Sequence, residues 1–336
     1  MKNFVRKVSI FLLCTLLFSG VYIYILADNS VDAFYGKVIS DKYPSLIIGT
    51  SRGAQGIEPA ILEKFLSAED EIYNFAFTLK TTPWGKPYFD SILKKLSESS
   101  ESSIYILECN PWAFCSFNNE LGDFKESRAI PNNLISNSVN PNIEYFFGGY
   151  TGSNVSLLIK KLFYTPNESR LEVNDNGRLK VNVKYDSANI YSRTQAKIDE
   201  YEKRASSIIW DNSREAYFIQ TIEYLQARGK IFVVRMPVSN EMKNLENSTF
   251  PNFSVDITDI ANRLNVNFID YSCLSDTYIT TDGHHIQNIF VEQFTTKLAE
   301  DISAVLQNNR NVDFCDFEFS LLKDSKFNTA IHAKKD

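Results

Sequence analysis

The sequence predicts an α/β protein: a five-stranded parallel sheet covered by helices on both faces in three layers (α/β/α), behind an N-terminal transmembrane helix. Three observations predict it. Short, continuous apolar runs alternate with stretches of helical periodicity, the pattern of parallel strands buried on both faces. One long Asn- and Ser-rich segment, about 112–213, interrupts that alternation between the third and fourth runs. Finally, the chain opens on three cations followed by a long apolar run.

That opening, "MKNFVRKVSIFLLCTLLFSGVYIYILADNS", places Lys2, Arg6 and Lys7 ahead of residues 8–26. About 19 uncharged, mostly apolar residues suffice to cross a bilayer. A signal-peptide core is usually shorter, and no convincing small-x-small cleavage site follows. The basic flank stays in the cytoplasm. Residues 1–29 therefore read as a membrane anchor or signal-anchor of the inner or plasma membrane, single-pass. Residues 30–310 form the main domain on the extracytoplasmic (periplasmic) side, and 311–336 are a tail. A cleaved signal peptide is the closest alternative and leaves the domain in the same compartment.

The elements then follow in order. "SLIIG" (45–49) is the first strand, and "EPAILEKFLSA" the helix after it. "EIYNFAF" (71–77) is the second strand, followed by the helical "YFDSILKKLSES". "SSIYILECN" (102–110) is the third. "REAYFIQTIEYLQARGK" is a helix with Gly229 in the place of a C-cap. "KIFVVRMPV" (230–238) and "VNFIDYS" (266–272) are the fourth and fifth strands, with "DITDIANRLN" as a helix between them. "QNIFVEQFTTKLAEDISAVLQ" closes the domain as a long amphipathic helix. Within the interruption, "RLEVNDNGRLKVNVKYD" alternates around Asn176-Gly177 and reads as a hairpin. The segment 112–213 is too long for an ordinary connection and reads as an insertion or lid over the sheet's edge.

A net charge of -6, with no basic block beyond the N-terminus, argues against nucleic-acid binding. "GTSRGAQG" lacks the Lys-Ser/Thr of a phosphate loop, and nothing suits a dinucleotide fingerprint. No cofactor is expected, and no CxxC or Cys/His cluster points to a metal. Cys14 lies in the apolar run. Cys109, Cys115, Cys273 and Cys315 form an even set in the exported part, which permits disulfides without fixing their pairing.

Ligands of such sheets bind beyond the carboxyl ends of the strands. The first strand ends in "GTSRGAQ", with Ser51 and Arg52 at the turn. Only three histidines exist, and two of them, His284 and His285, sit in "TTDGHHIQN" after the fifth strand. Asp282, three residues before His285, can accept a hydrogen bond from its Nδ1–H, leaving the other ring nitrogen to deprotonate a hydroxyl. His284 lacks that spacing and reads as a loop or substrate-facing residue. Arg52 and Arg235, at or near strand ends, suit an anionic substrate or carrier; for Arg235 a structural ion pair is an equal alternative. Asn110 is either an oxyanion donor or the cap of an Asn-Pro turn. Asn74 reads as a brace for the loop carrying Ser51.

On these residues the chain resembles the SGNH (GDSL-type) hydrolase superfamily, a flavodoxin-like α/β/α fold. Within it the chain is most similar to membrane-anchored extracytoplasmic bacterial members. The resemblance covers about 44–110 and 215–305 and leaves the insertion unmatched. The family's Gly-Asp-Ser block looks like "GTS", with Thr50 in place of the acid. Its Asp-x-x-His block looks like Asp282 to His285. Its Gly-x-Asn-Asp block looks like "ECNPW", with Asn110 in place and Pro111 where the second acid stands. Its block with a glycine five residues after an asparagine begins at Asn74 but carries Leu79 in the glycine's place. The resemblance implies a serine esterase or O-acyltransferase acting on acyl esters of a cell-envelope glycan or polymer. Ser51, His285 and Asp282 would be its triad, and the Ser51 N–H, Asn110 and the backbone near Leu79 its oxyanion donors. The expected partners are the acylated glycan, polymer or acyl donor, and the membrane through the N-terminal helix. The alternative is a non-catalytic envelope binding or assembly protein on the same fold.

Overall fold

The computed structural model describes residues 1–27, 34–66, 70–79, 84–98, 102–117, 139–142, 171–182 and 186–308, with single positions at 145, 159 and 163. The Cys315 and C-terminal tail readings lie outside them. In chain order the strands are β1 (Ser45–Ile48), β2 (Ile72–Asn74), β3 (Ile104–Glu108), β4 (Cys115–Phe117), β5 (Leu171–Val173), β6 (Leu179–Val181), β7 (Ile208–Trp210), β8 (Lys230–Arg235) and β9 (Asn267–Asp270). Five of them form one sheet in the order β2-β1-β3-β8-β9, and every pairing in it is parallel.

The continuous apolar runs are explained by burial of both faces. Ile47, Ile106, Phe232, Val234 and Ile269 enter one core, with Leu62 of α4 (Pro59–Leu66) and Phe294, Leu298 and Ile302 of the last helix, Asn288–Asn308. Leu46, Ile48, Tyr105, Leu107 and Val233 enter the other. That second core also takes Tyr35 and Val38 of α2 (Tyr35–Ile39), Tyr88 and Ile92 of α5 (Lys86–Lys95), Phe218 and Ile222 of the helix Asn212–Gln226, and Ile257 and Ile260 of the helix Phe253–Leu264. A fully buried side chain of this kind contributes ~1.5–3 kcal/mol.

The interruption has structure of its own. β4 pairs antiparallel with β7 across its ends, and β5 and β6 form the expected hairpin. The turn differs by one residue from a turn centred on Asn176-Gly177. Gly177 N–H donates to the Asn174 carbonyl at 2.8 Å, and Gly177 itself takes φ 83°. This is a turn over Asp175-Asn176 with glycine in the left-handed place after it. A 19-residue helix, Ser187–Ala205, follows. Gly229 is also not the expected left-handed cap: the helix ends at Ala227. A Cβ at 229 would lie 2.2 Å from the Ser103 carbonyl oxygen, so close backbone approach requires the glycine.

The N-terminal helix α1 (Lys2–Leu26) is long and apolar enough to cross a membrane, a property that signal sequences share. Its last turn does not stand apart: Tyr22, Ile23 and Ala27 pack against the larger core. Among the described residues Cys14, Cys109 and Cys115 are free cysteines.

Lys37 of α2 is fully buried, with its amine on the Ala76 carbonyl and 5.2 Å from the Phe77 ring centre. Burial holds that amine well below the usual lysine range. Burial also lowers Lys95, to about 7. The folded protein thus binds fewer protons than the unfolded chain below the ordinary lysine pKa, so stability falls as pH is lowered from that value. Lys37→Met removes one of these groups. Its thermal midpoint should fall less between pH 9 and pH 6 than the parent's; an unchanged pH dependence would exclude a neutral Lys37.

Candidate active site

Ser51 opens α3 (Ser51–Gly56) directly after β1. Gly49 turns the chain there at φ 146°, a conformation that side chains resist. A Cβ on Gly49 would also lie 2.7 Å from Glu108 Oε2. Asn74 braces the α3 segment as expected, its Nδ2 donating to the carbonyls of Gly53 (3.0 Å) and Ile57 (3.1 Å).

Asp282 and His285 lie on the loop after β9. Thr281 N–H donates to the His285 carbonyl at 2.8 Å, and Gly283 N–H to Thr280 Oγ1 at 3.0 Å. This closes the loop tightly and turns Asp282 and His285 to one side. Asp282 Oδ1 accepts the backbone N–H of His284 (3.1 Å) and of His285 (3.0 Å). Its Oδ2 lies 3.0 Å from His285 Nδ1. Burial opposes the charge on Asp282, yet His285 and these N–H groups together hold the carboxyl well below its usual range. His285 Nε2 then stands 2.8 Å from Ser51 Oγ. The three residues named from the sequence as a triad are thus brought into one hydrogen-bonded chain.

Asn110 and Leu79 are placed differently from one another. Asn110 Nδ2 lies 2.9 Å from Glu108 Oε1 and 3.1 Å from Thr50 Oγ1, while its Oδ1 is buried with no hydrogen-bond partner. The Leu79 side chain is half-buried against the core and beside Trp112. Beside Asn110 lies a residue that the sequence alone does not single out. Glu108, fully buried, accepts the Thr50 N–H (2.7 Å) and the Thr50 hydroxyl (2.9 Å) on Oε2. It thereby fixes the residue before Ser51 and, through Oε1, also the amide of Asn110. Glu108→Ala would leave the buried Thr50 N–H without an acceptor and the Asn110 amide with only Thr50 Oγ1, at about 2–3 kcal/mol. The denaturant midpoint of the full chain in detergent micelles measures this, and an unchanged midpoint would mean that water replaces the carboxylate.

Arg52, His284 and Arg235 do meet, inside the protein. Arg52 pairs with Glu246 of α8 and places Nη2 3.1 Å from His284 Nδ1; here α6, α7 and α8 are Ser187–Ala205, Asn212–Gln226 and Asn240–Thr249. Arg235 Nη2 reaches Glu246 Oε2 at 3.2 Å, and its Nη1 lies 3.6 Å from Asp270 Oδ2. Trp112 Nε1 donates to Glu246 Oε1 at 2.9 Å. Burial raises the pKa of the Glu246 carboxyl, but the two arginines outweigh it and hold the group below its usual range. Burial first, then the Arg52 charge, keeps His284 well below the ordinary histidine pKa and therefore neutral. His284 Nε2 lies 3.3 Å from the Tyr201 hydroxyl and 3.4 Å from Arg52 Nε.

Tyr201 belongs to α6, so the inserted segment touches the site. Arg193 Nε donates to the Thr281 carbonyl at 3.3 Å. Gly283, at φ 77°, passes so close to α6 that a Cβ would lie 2.9 Å from Thr194 Cγ2. The inserted helix thus packs on the loop that carries Asp282 and His285. Among the described residues no group of His, Cys, Asp and Glu side chains is arranged to hold a metal ion.

Chemically, the arrangement offers a hydroxyl, a base within reach of its proton and an ionised acid behind the base. No protein-family model matches the chain. No curated protein and no solved structure matches it either.

Proposed function

We propose that the protein is a serine esterase or O-acyltransferase of SGNH type, with the three-layer arrangement of that superfamily. It would act on acyl esters of a cell-envelope glycan or polymer from an extracytoplasmic membrane-anchored position. One observation carries the reading: the chain Ser51 Oγ, His285 Nε2, His285 Nδ1, Asp282, with contacts of 2.8 and 3.0 Å. Ser51 Oγ attacks the ester carbonyl as His285 Nε2 takes its proton. The carbon–oxygen bond to the alcohol then breaks, and the alcohol leaves with the proton from His285. Water, or a hydroxyl of the acceptor glycan, attacks the acyl-serine by the reverse route. Ser51 N–H, among the first groups of a helix and so without an intrahelical acceptor, suits the oxyanion. The Asn110 amide and the backbone at Leu79 complete the set. Arg52, His284 and Arg235 hold the nucleophile's helix to α8 rather than meeting the substrate from an open surface.

A second reading, a non-catalytic envelope binding or assembly protein, is favoured by the engagement of Asn110. Its Nδ2 already serves Glu108 and Thr50. To meet an oxyanion it must release Thr50, the longer of the two bonds. A mass spectrum after incubation with p-nitrophenyl acetate separates the readings. The catalytic one expects a single acetyl group on the peptide containing Ser51, absent in Ser51→Ala. An unmodified parent chain, across several activated esters and a fluorophosphonate, leaves the binding reading in possession.

A further inference from the structure

We propose that the carboxyl rim of the sheet, which carries Ser51 and His285, rests on the bilayer crossed by α1, and that the substrate is a membrane-borne acyl ester held at headgroup level. This deepens the reading above and rests on it and on α1 remaining in place.

The path of the chain carries the argument. Phe34 lies 5.6 Å, ring to ring, from Phe77, just past the carboxyl end of β2. It also packs with Ala54 and Ala76, and Ala54 is in the helix that Ser51 opens. From this rim α2 takes the chain along the sheet to the opposite end. There Tyr43 N–H donates to the Lys95 carbonyl and Ser97 N–H to the Tyr43 carbonyl, and β1 begins at Ser45. The domain is therefore entered from its catalytic end.

The distance to the membrane is short. Residues 8–26 rise ~28 Å as a helix, close to the ~30 Å of a hydrocarbon core. This leaves Ala27 at the outer surface, with Tyr22 and Tyr24 at the level favoured by interfacial aromatics. Six residues separate Ala27 from Phe34, at most ~25 Å of chain over seven Cα–Cα steps. Tyr22, Ile23 and Ala27 moreover pack against the larger core, so the domain sits directly against the end of the membrane helix.

The two ends of the sheet differ in the same sense. The opposite end carries an open groove lined by Lys42, Leu96, Ser97, Glu98, Ala227 and Arg228, a charged and hydrated surface. At the catalytic rim Ile279 and Ile289 are 50% and 69% exposed. They flank the loop of Asp282 and His285, which Gln287 N–H closes onto the Ile279 carbonyl at 3.0 Å. Apolar side chains in this position gain by entering a headgroup layer. A serine on this rim meets an ester anchored in the same leaflet at an effective concentration that a dissolved ester does not reach.

The test uses the full chain in vesicles containing brominated phosphatidylcholine. Ile279→Trp, Ile289→Trp and Ala227→Trp are compared with the parent, whose own tryptophans give a common background. The expected result is strong quenching of the added tryptophan at 279 and 289 and none at 227. Quenching at 227 alone, quenching at none of the three, or release of the chain from the vesicles overturns the proposal. A second arm measures modification of Ser51 by a long-chain fluorophosphonate dissolved in the bilayer against a short water-soluble one. The bilayer probe should react faster by at least about tenfold in vesicles, and equal rates overturn the substrate assignment. If neither probe reacts while the rim tryptophans are quenched, the acyl-serine reading fails and takes the substrate assignment with it, but leaves the placement on the bilayer standing.

Discussion

Asp282→Asn should slow acylation of Ser51 by about 10⁴-fold while leaving Ser51 and His285 in the chain. The magnitude follows from what Asp282 holds. Its carboxylate is nearly enclosed, accepts two backbone N–H groups and still faces His285 Nδ1 at 3.0 Å. An amide in its place must turn its oxygen to the two N–H groups, which presents its NH2 to the imidazole. The ring then carries its proton on Nε2, facing Ser51 Oγ, where a lone pair is needed. The pseudo-first-order rate of fluorophosphonate capture reads this directly. A loss below about tenfold would mean that His285 takes its orientation from elsewhere, and that Asp282 is a loop-forming residue only.

Glu246→Ala should destabilise the domain by about 3–5 kcal/mol, the usual effect of stripping one partner from a buried ion pair. Here one carboxylate serves two guanidinium groups and the Trp112 indole, and Arg52 and Glu246 side chains are 1% exposed. Arg235 keeps Asp270 and Ser254 as partners, whereas Arg52 keeps only neutral His284. The loss should therefore fall on α3, and Ser51 capture should slow together with the fall in denaturant midpoint. Glu246→Gln, which retains the hydrogen-bond acceptor but not the charge, should lie between Ala and the parent. Equal midpoints for all three proteins would show that water reaches and solvates the arginines.

Much of this was legible in the sequence, for a physical reason. Strands buried on both faces cannot hide their character, so the five runs around Ile47, Tyr73, Ile106, Val233 and Ile269 stood out. They come out shorter than read: Phe75 and Phe77 continue the apolar run beyond β2, although their N–H groups still donate to the Ile47 and Gly49 carbonyls. Ser51, Asp282 and His285 were legible because a turn serine and an Asp-x-x-His loop lie after strands that end on one rim. Glu108 was not, since a glutamate closing an apolar strand says nothing of the glycines that it touches across the sheet. Glu246 and Tyr201 sit on polar helices whose apolar faces are thin. α6 buries only Thr194 and Tyr201 among its residues, too weak a stripe to announce a helix. Arg52 and His284 looked like surface groups because sequence gives a charge but not its neighbours.

The contact between Ser51 and His285 joins positions 234 residues apart. During synthesis the serine emerges early and its base late, after the whole inserted segment and four of the five sheet strands. Until then the Ser51 hydroxyl lacks its hydrogen-bond partner, His285 Nε2. The fold therefore works as a timer. The hydrogen-bonded chain through Ser51 forms only when the loop of Asp282 and His285 has joined the sheet, and a chain truncated before Asp282 lacks it.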